Sequence, residues 1–305
     1  MADASIPMKS LELKSILVAT DLTESADKAL EHGIAIARHY QATLYVVYVV
    51  SSLGFTLAGP DAVELAAKAS ERDINSFVHE LVDSGRLNGV EVRPIVLKGN
   101  VDEEVESFAR AHRVDLIVAS THGRCGMDRL FFGSVAQMIS KRSCCPVLTV
   151  GPHSRGPWLD NPADSGKPLL FASAFNQSCA KAAPYAITLA NDFERQLYVL
   201  HVIPPHRAHL LKKDDMANGY HEASAFAHLN TIIPSDADRK CGPTLLVESC
   251  DPAEGILRAA KRLQAVGIIM GADRDANSDL TTRLPGSITN QVNREAMCPV
   301  LTVGG

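Results

Sequence analysis

The chain has 305 residues, 46% of them apolar and 21% charged, with a net charge of −5. That length suits two domains of ordinary size, and neither half is basic, which argues against a large nucleic-acid footprint. No stretch approaches the ~20 apolar residues of a membrane span, and residues 1–14 lack the basic-then-apolar pattern of a secretory signal; seven cysteines without a Cys-x-x-Cys point to a reducing compartment, read as the cytoplasm.

Residues 15–20 are a short aliphatic run, the pattern of a strand buried on both faces. Asp21 follows directly, before a helix over 26–40 in which Ala29, Leu30, Gly33, Ile34 and Ala37 recur at helical spacing. A second strand is predicted over 43–50, a long helix over 61–87 and a third strand over 90–97. The helix over 101–112 opens with Asp102, Glu103 and Glu104, which complement the helix dipole. A fourth strand spans 115–120, a loop 121–132, a helix 133–142 and a fifth strand 146–150. Strand–helix alternation of this kind implies a parallel sheet with helices on both faces. Ligands of such sheets bind beyond the carboxyl ends of the strands.

The pattern then repeats. Cys145-Pro146-Val147-Leu148-Thr149-Val150-Gly151 recurs as Cys298-Pro299-Val300-Leu301-Thr302-Val303-Gly304, an offset of 153. Residues 16–19 match 169–172 at that offset, 44–50 match 197–203, and Gly133-Ser134 matches Gly286-Ser287. One offset across separated segments indicates duplication. The chain is therefore read as α/β, with two tandem Rossmann-like domains, each a five-stranded parallel sheet. They cover 1–151 and 168–305, joined by a Gly/Pro-rich linker, 152–167, expected to be exposed. The short terminal strands 146–150 and 299–301 leave edges that need covering, so the copies are expected to pair as an intramolecular pseudo-dimer; a further homodimer is open.

The richest segment in chemistry runs from Ser120 to Ser134. Gly123 and Gly133 let backbone amides approach an anion, and Gly133-Ser134 opens a helix whose free N–H groups favour phosphate. Arg124 and Arg129 are placed to pair with phosphate charge; the plainer reading is two solvated arginines. Cys125 lies in the same loop and is expected to be the accessible thiol that a nucleotide would protect. Asp21 either caps the following helix or accepts from a ribose hydroxyl or an adenine amine. Thr20 lies beside it at the strand end.

These residues resemble the universal stress protein family in its tandem two-domain form. The resemblance covers nearly the whole chain and implies an adenine nucleotide alpha hydrolase-like fold. ATP-binding members carry Gly-x-x-Gly, nine residues, then Gly-Ser or Gly-Thr. Here the matching positions are Ser120, Gly123, Gly133 and Ser134, with Ser120 in place of the first glycine. The resemblance implies that Asp21 and Val49 hold the adenosine, and that His122, Gly123, Gly133, Ser134 and Val135 surround the ribose and phosphates. ATP, or ADP or AMP, is the implied ligand, with Mg2+ as its companion ion.

The second copy departs from this pattern. Ala174 stands where Asp21 stands, Asp273 where His122 does and Arg274 where Gly123 does, and its loop is two residues longer. It is expected to bind nucleotide poorly, keeping at most a small-anion site at Gly286-Ser287. His206, His209, His221 and His228 cluster with Asp214, Asp215 and Glu222, but match no metal-ligand spacing. Cys250, before Asp251-Pro252, stands where a helix start lowers a thiol pKa, although a structural cysteine fits better. The leading functional reading is a nucleotide-binding stress-response or regulatory protein with a protein partner. Against it stand a slow ATPase, for which His122 and Asp128 are the only bases in view, and a non-binding dimerisation module.

Overall fold

The structure is a computed structural model describing residues 11–51, 60–121 (side chains from residue 64), 143–154, 157, 164–204, 223, 226–228, 242–272 and 287–304. The chain forms two compact units, Glu12–Asp160 and one built on Asn161–Gly305. In the first, β1 (Ser15–Ala19), α1 (Glu24–Tyr40), β2 (Thr43–Ser51), α2 (Pro60–Asp83), β3 (Glu91–Gly99), α3 (Val101–Ala111), β4 (Leu116–Ser120) and β5 (Val147–Val150) follow one another. Its strands lie in the order β3-β2-β1-β4-β5, and every pairing is parallel. Ile16, Leu17 and Val18 are wholly buried, as an aliphatic run in a central strand covered on both faces must be.

The second unit repeats this plan with β6 (Leu169–Ala172), α4 (Gln177–Asp192), β7 (Leu197–Ile203), β8 (Thr244–Ser249), α5 (Pro252–Leu263), β9 (Gly267–Ala272), α6 (Ile288–Glu295) and β10 (Val300–Gly304). Its order is β8-β7-β6-β9-β10, again all parallel. The registers coincide residue by residue. Ile16 pairs with Leu44 and Leu169 with Leu197, an offset of 153. Ile16 pairs with Leu116 and Leu169 with Gly267, an offset of 151 on the partner strand. Val49 pairs with Leu97 and Val202 with Glu248, again 151. Two residues are thus lost between β7 and β8 and regained after β9, where the sequence has its longer loop.

Two expectations need correction. The second helix ends at Asp83, not at 87, because Gly85 takes a φ of 73°, the left-handed stop for which glycine is suited, and Ser84 Oγ donates to the Leu81 carbonyl. The segment between the units is exposed at His153, Ser165 and Gly166 but not throughout: Ser154 and Asp164 are buried. Arg195 explains the second of these, since its guanidinium donates to the carbonyls of Asp164 and Lys167.

Candidate functional site

In the order β3-β2-β1-β4-β5 the chain builds outward from β1 in one direction, then crosses back to β4. The topological switch point therefore lies between β1 and β4, where an open parallel sheet presents its crevice. Thr20, Asp21 and Ser120 lie at the carboxyl ends of these two strands, and Val49 near the end of β2. His122, Gly123, Arg124, Gly133, Ser134 and Val135 lie outside the described residues, as does Cys125.

The turn after β1 is fixed by its own side chains. Thr20 N–H donates to the Val47 carbonyl at 2.9 Å, and Thr20 Oγ1 accepts from Leu22 N–H at 3.0 Å. Leu22 sits at φ 61°, which turns the chain into α1. Asp21 Oδ1 accepts from both Thr23 N–H (3.1 Å) and the Thr23 hydroxyl (2.6 Å). Thr23, not Asp21, is the N-cap of α1, and its Oγ1 accepts from Ala26 N–H at 3.4 Å. The Asp21 carboxylate is thus an oriented acceptor at the mouth of the switch point. Val49 is half-buried and packs beside the cluster of Val105, Phe108 and Ile117.

Three further residues, missed in the sequence, frame this mouth. Thr23 sets the carboxylate; an Asp two residues before a Thr cap is the local signal of this turn. Thr121 is fully buried and donates its N–H to the Val150 carbonyl at 3.0 Å, fixing the exit from β4. Lys28 Nζ reaches the Pro152 carbonyl at 2.6 Å, across a separation of 124 residues that no local pattern reveals.

The second unit reproduces the backbone of this turn without its chemistry. Ser173 N–H donates to the Leu200 carbonyl at 2.8 Å, Phe175 has φ 58°, and Asn176 caps α4 by accepting from Cys179 N–H. Ala174 takes the place of Asp21, and its N–H meets Cys179 Sγ at 3.2 Å. The strand ends are also closely covered by helices. Gly271 holds the register position of Ser120, and a Cβ there would lie 2.5–2.7 Å from the backbone of Ser178 and Cys179, so the first turn of α4 rests on the end of β9. Val202, the counterpart of Val49, is buried beneath Gly255, whose Cβ would meet it at 3.0 Å. The Phe175 ring stacks on His201 at 4.0 Å and is tilted against His228 at 5.4 Å.

The remaining candidates resolve simply. Ser287 Oγ accepts from Asn290 N–H at 3.3 Å, the plain capping role, while Gly286, Asp273 and Arg274 lie outside the described residues. Burial pushes the Cys250 thiol upward, although Arg258 at 3.3 Å opposes the rise; the structural reading of this cysteine stands. Among the described residues no group of three or more His, Cys, Asp and Glu side chains is placed to hold a metal ion, and of the clustered histidines only His228 is described. No described helix is long and apolar enough to cross a membrane.

Comparison with known proteins follows the same twofold division. The sequence profile of the Universal stress protein family matches residues 12–151 and again residues 166–304. Universal stress protein MJ0531 of Methanocaldococcus jannaschii is 31% identical over 138 residues, 45% of this chain and 81% of that protein. Universal stress protein YxiE of Bacillus subtilis is 27% identical over 143 residues, 44% of this chain and 97% of its own. A solved universal stress protein structure from Archaeoglobus fulgidus is alike over 96% of this chain and 97% of its own, with a TM-score of 0.70 at 18% identity, a likeness of fold.

Proposed function

Since the chain belongs to the universal stress protein family as a tandem two-domain member, we propose that it is a stress-response protein whose first domain, residues 1–151, binds one adenine nucleotide. The second domain, 168–305, reached through the linker 152–167, binds none. The observation that carries this reading is the pair Asp21 and Ala174: one turn geometry built twice, with a carboxylate in the first copy alone. An acceptor held in place by Thr23 suits a ribose hydroxyl or an adenine amine. Val49, half-buried where Val202 is covered, supplies an apolar wall for the base. Thr20 and Ser120 border the crevice; His122, Gly123, Arg124, Gly133, Ser134 and Val135 form the phosphate side. The ligand is ATP with Mg2+, or ADP or AMP, and its occupancy biases the protein's interaction with a partner.

Calorimetric titration of the full chain with ATP tests the reading. One site per chain, weakened by Asp21→Ala and unaffected by substitution of Arg274, is the expected result. An absence of binding, or two equivalent sites, would overturn it.

A further inference from the structure

The segment that enters β5 carries two adjacent thiols that the proposed nucleotide site does not use. It lies at the amino ends of the parallel strands, the opposite edge of the sheet from the switch-point crevice. Cys144 is exposed, Cys145 is half-buried, and both are free. The backbone is held at each. Cys144 N–H donates to Glu106 Oε2 at 3.2 Å, and Cys145 N–H donates to Ser143 Oγ at 3.3 Å. The Cys145 sulfur lies 3.6 Å from the same hydroxyl. Burial pushes the Cys145 thiol up to about 12; the Ser143 hydroxyl opposes this, and Cys144 adds to it through charge and a hydrogen bond. As consecutive residues the two cysteines have Cα atoms about 3.8 Å apart, so their sulfurs can close on one bound centre. The second domain has Met297 and Cys298 at this position, a single thiol that is buried.

We propose that Cys144 and Cys145 form a vicinal dithiol site that captures soft trivalent centres, of which arsenic(III) is the chemical class that fits. The geometry offers two sulfur donors, whereas a structural zinc site needs four ligands and no described metal-holding group of three or more such side chains exists. The half-buried Cys145 thiol, held protonated, is a poor nucleophile toward peroxides or disulfides, which react with thiolate. An arsenoxide brings its own base. Two As–S bonds form, the bonds from arsenic to oxygen break, and both thiol protons leave with that oxygen as one water, with no change of oxidation state. The second As–S bond closes within the molecule, at an effective concentration of about millimolar or more. The chelate therefore resists monothiols and yields to small dithiols.

The test treats the full chain with phenylarsine oxide in excess glutathione and reads intact mass and peptide maps. The expected result is one phenylarsenic group per chain, bridging Cys144 and Cys145 and released by dimercaptopropanol. Cys144→Ser, at an exposed position, and Cys145→Ser should each lower retention about tenfold or more, and Cys298→Ser should leave it unchanged. Circular dichroism of each variant reports that it is folded. An adduct that maps elsewhere, that glutathione strips from the unaltered protein, or that survives Cys144→Ser would overturn the proposal.

Discussion

The Thr23 hydroxyl donates to Asp21 Oδ1 at 2.6 Å while its oxygen accepts from Ala26 N–H, so one side chain both starts α1 and holds the carboxylate beside the end of β1. Thr23→Val removes the cap and the hydroxyl bond to Asp21. The lost cap should cost about 1 kcal/mol of stability, visible as a lower denaturant midpoint. ATP affinity should fall with it, because the carboxylate keeps only the backbone N–H bond at 3.1 Å. Asp21→Ala should lower affinity by about tenfold to a hundredfold while leaving the Thr23 cap. Calorimetry and urea unfolding of the two variants separate these effects; equal ATP affinity in both variants and the parent would count against a role for the turn.

The phosphate side of the proposed site makes a second prediction. A side chain at Gly123 blocks the approach of the backbone to an anion, so Gly123→Val should abolish ATP binding. Arg274→Val, at the matching position of the second copy, should change neither affinity nor stoichiometry. Titration of both variants checks the assignment, and binding that persists in Gly123→Val would defeat it.

His32 is buried in α1, and burial pushes its imidazole down to about 4. In the unfolded chain the same group takes a proton near pH 6.5. Between those values the unfolded state binds more protons than the folded one. The His32 contribution is therefore constant above pH 6.5 and is lost as pH falls toward 4, by about 3 kcal/mol in all. Urea midpoints at pH 7 and pH 4.5 should differ more for the parent than for His32→Leu. Parallel pH profiles would show that His32 does not set the acid limit.

Arg195 is buried and donates to the carbonyls of Asp164 and Lys167, while Lys167 pairs with the Asp164 carboxylate at 2.5 Å. In the first unit the same position is Ala42. Arg195→Leu should leave those carbonyls without their charged donor and destabilise the second domain by about 2–4 kcal/mol. Limited proteolysis should then cut near residues 155–163 sooner than in the parent. Unchanged unfolding and unchanged cleavage would refute the clamp.

Much of this architecture was legible in the residues themselves. The aliphatic runs, the helical spacing of Ala29, Leu30 and Ile34, and the repeat at 153 are local or translational patterns, and each unit follows them. The place of Asp21 directly after the first strand was legible too, whereas its bonds to Thr23 were not, because Asp21 itself reads as the cap. What else escaped was non-local. The Lys28–Pro152 bond joins segments 124 residues apart. The covering of Val202 depends on a glycine in α5, and the docking of Asp164 depends on an arginine beyond α4; neither pairing leaves a periodic trace. The end of α2 escaped because apolar residues continue to Leu87, which is buried, past the glycine that stops the helix.

Gly99 and Glu104 in the first unit correspond to Cys250 and Gly255 in the second. A Cβ on Gly99 would lie 2.6 Å from Glu104 Oε1, and one on Gly255 would lie 2.7 Å from Cys250 Sγ. The same small space is filled from the helix in one copy and from the strand in the other. Transplanting either residue alone therefore puts two side chains where one fits, or leaves none, and Gly99 adds a φ of 145° that its replacement must tolerate. The duplicated halves have ceased to be interchangeable parts here: a chimera crossing over between residues 99 and 104 inherits either a collision or a hole, and only breakpoints outside that pair keep the fit of both parents.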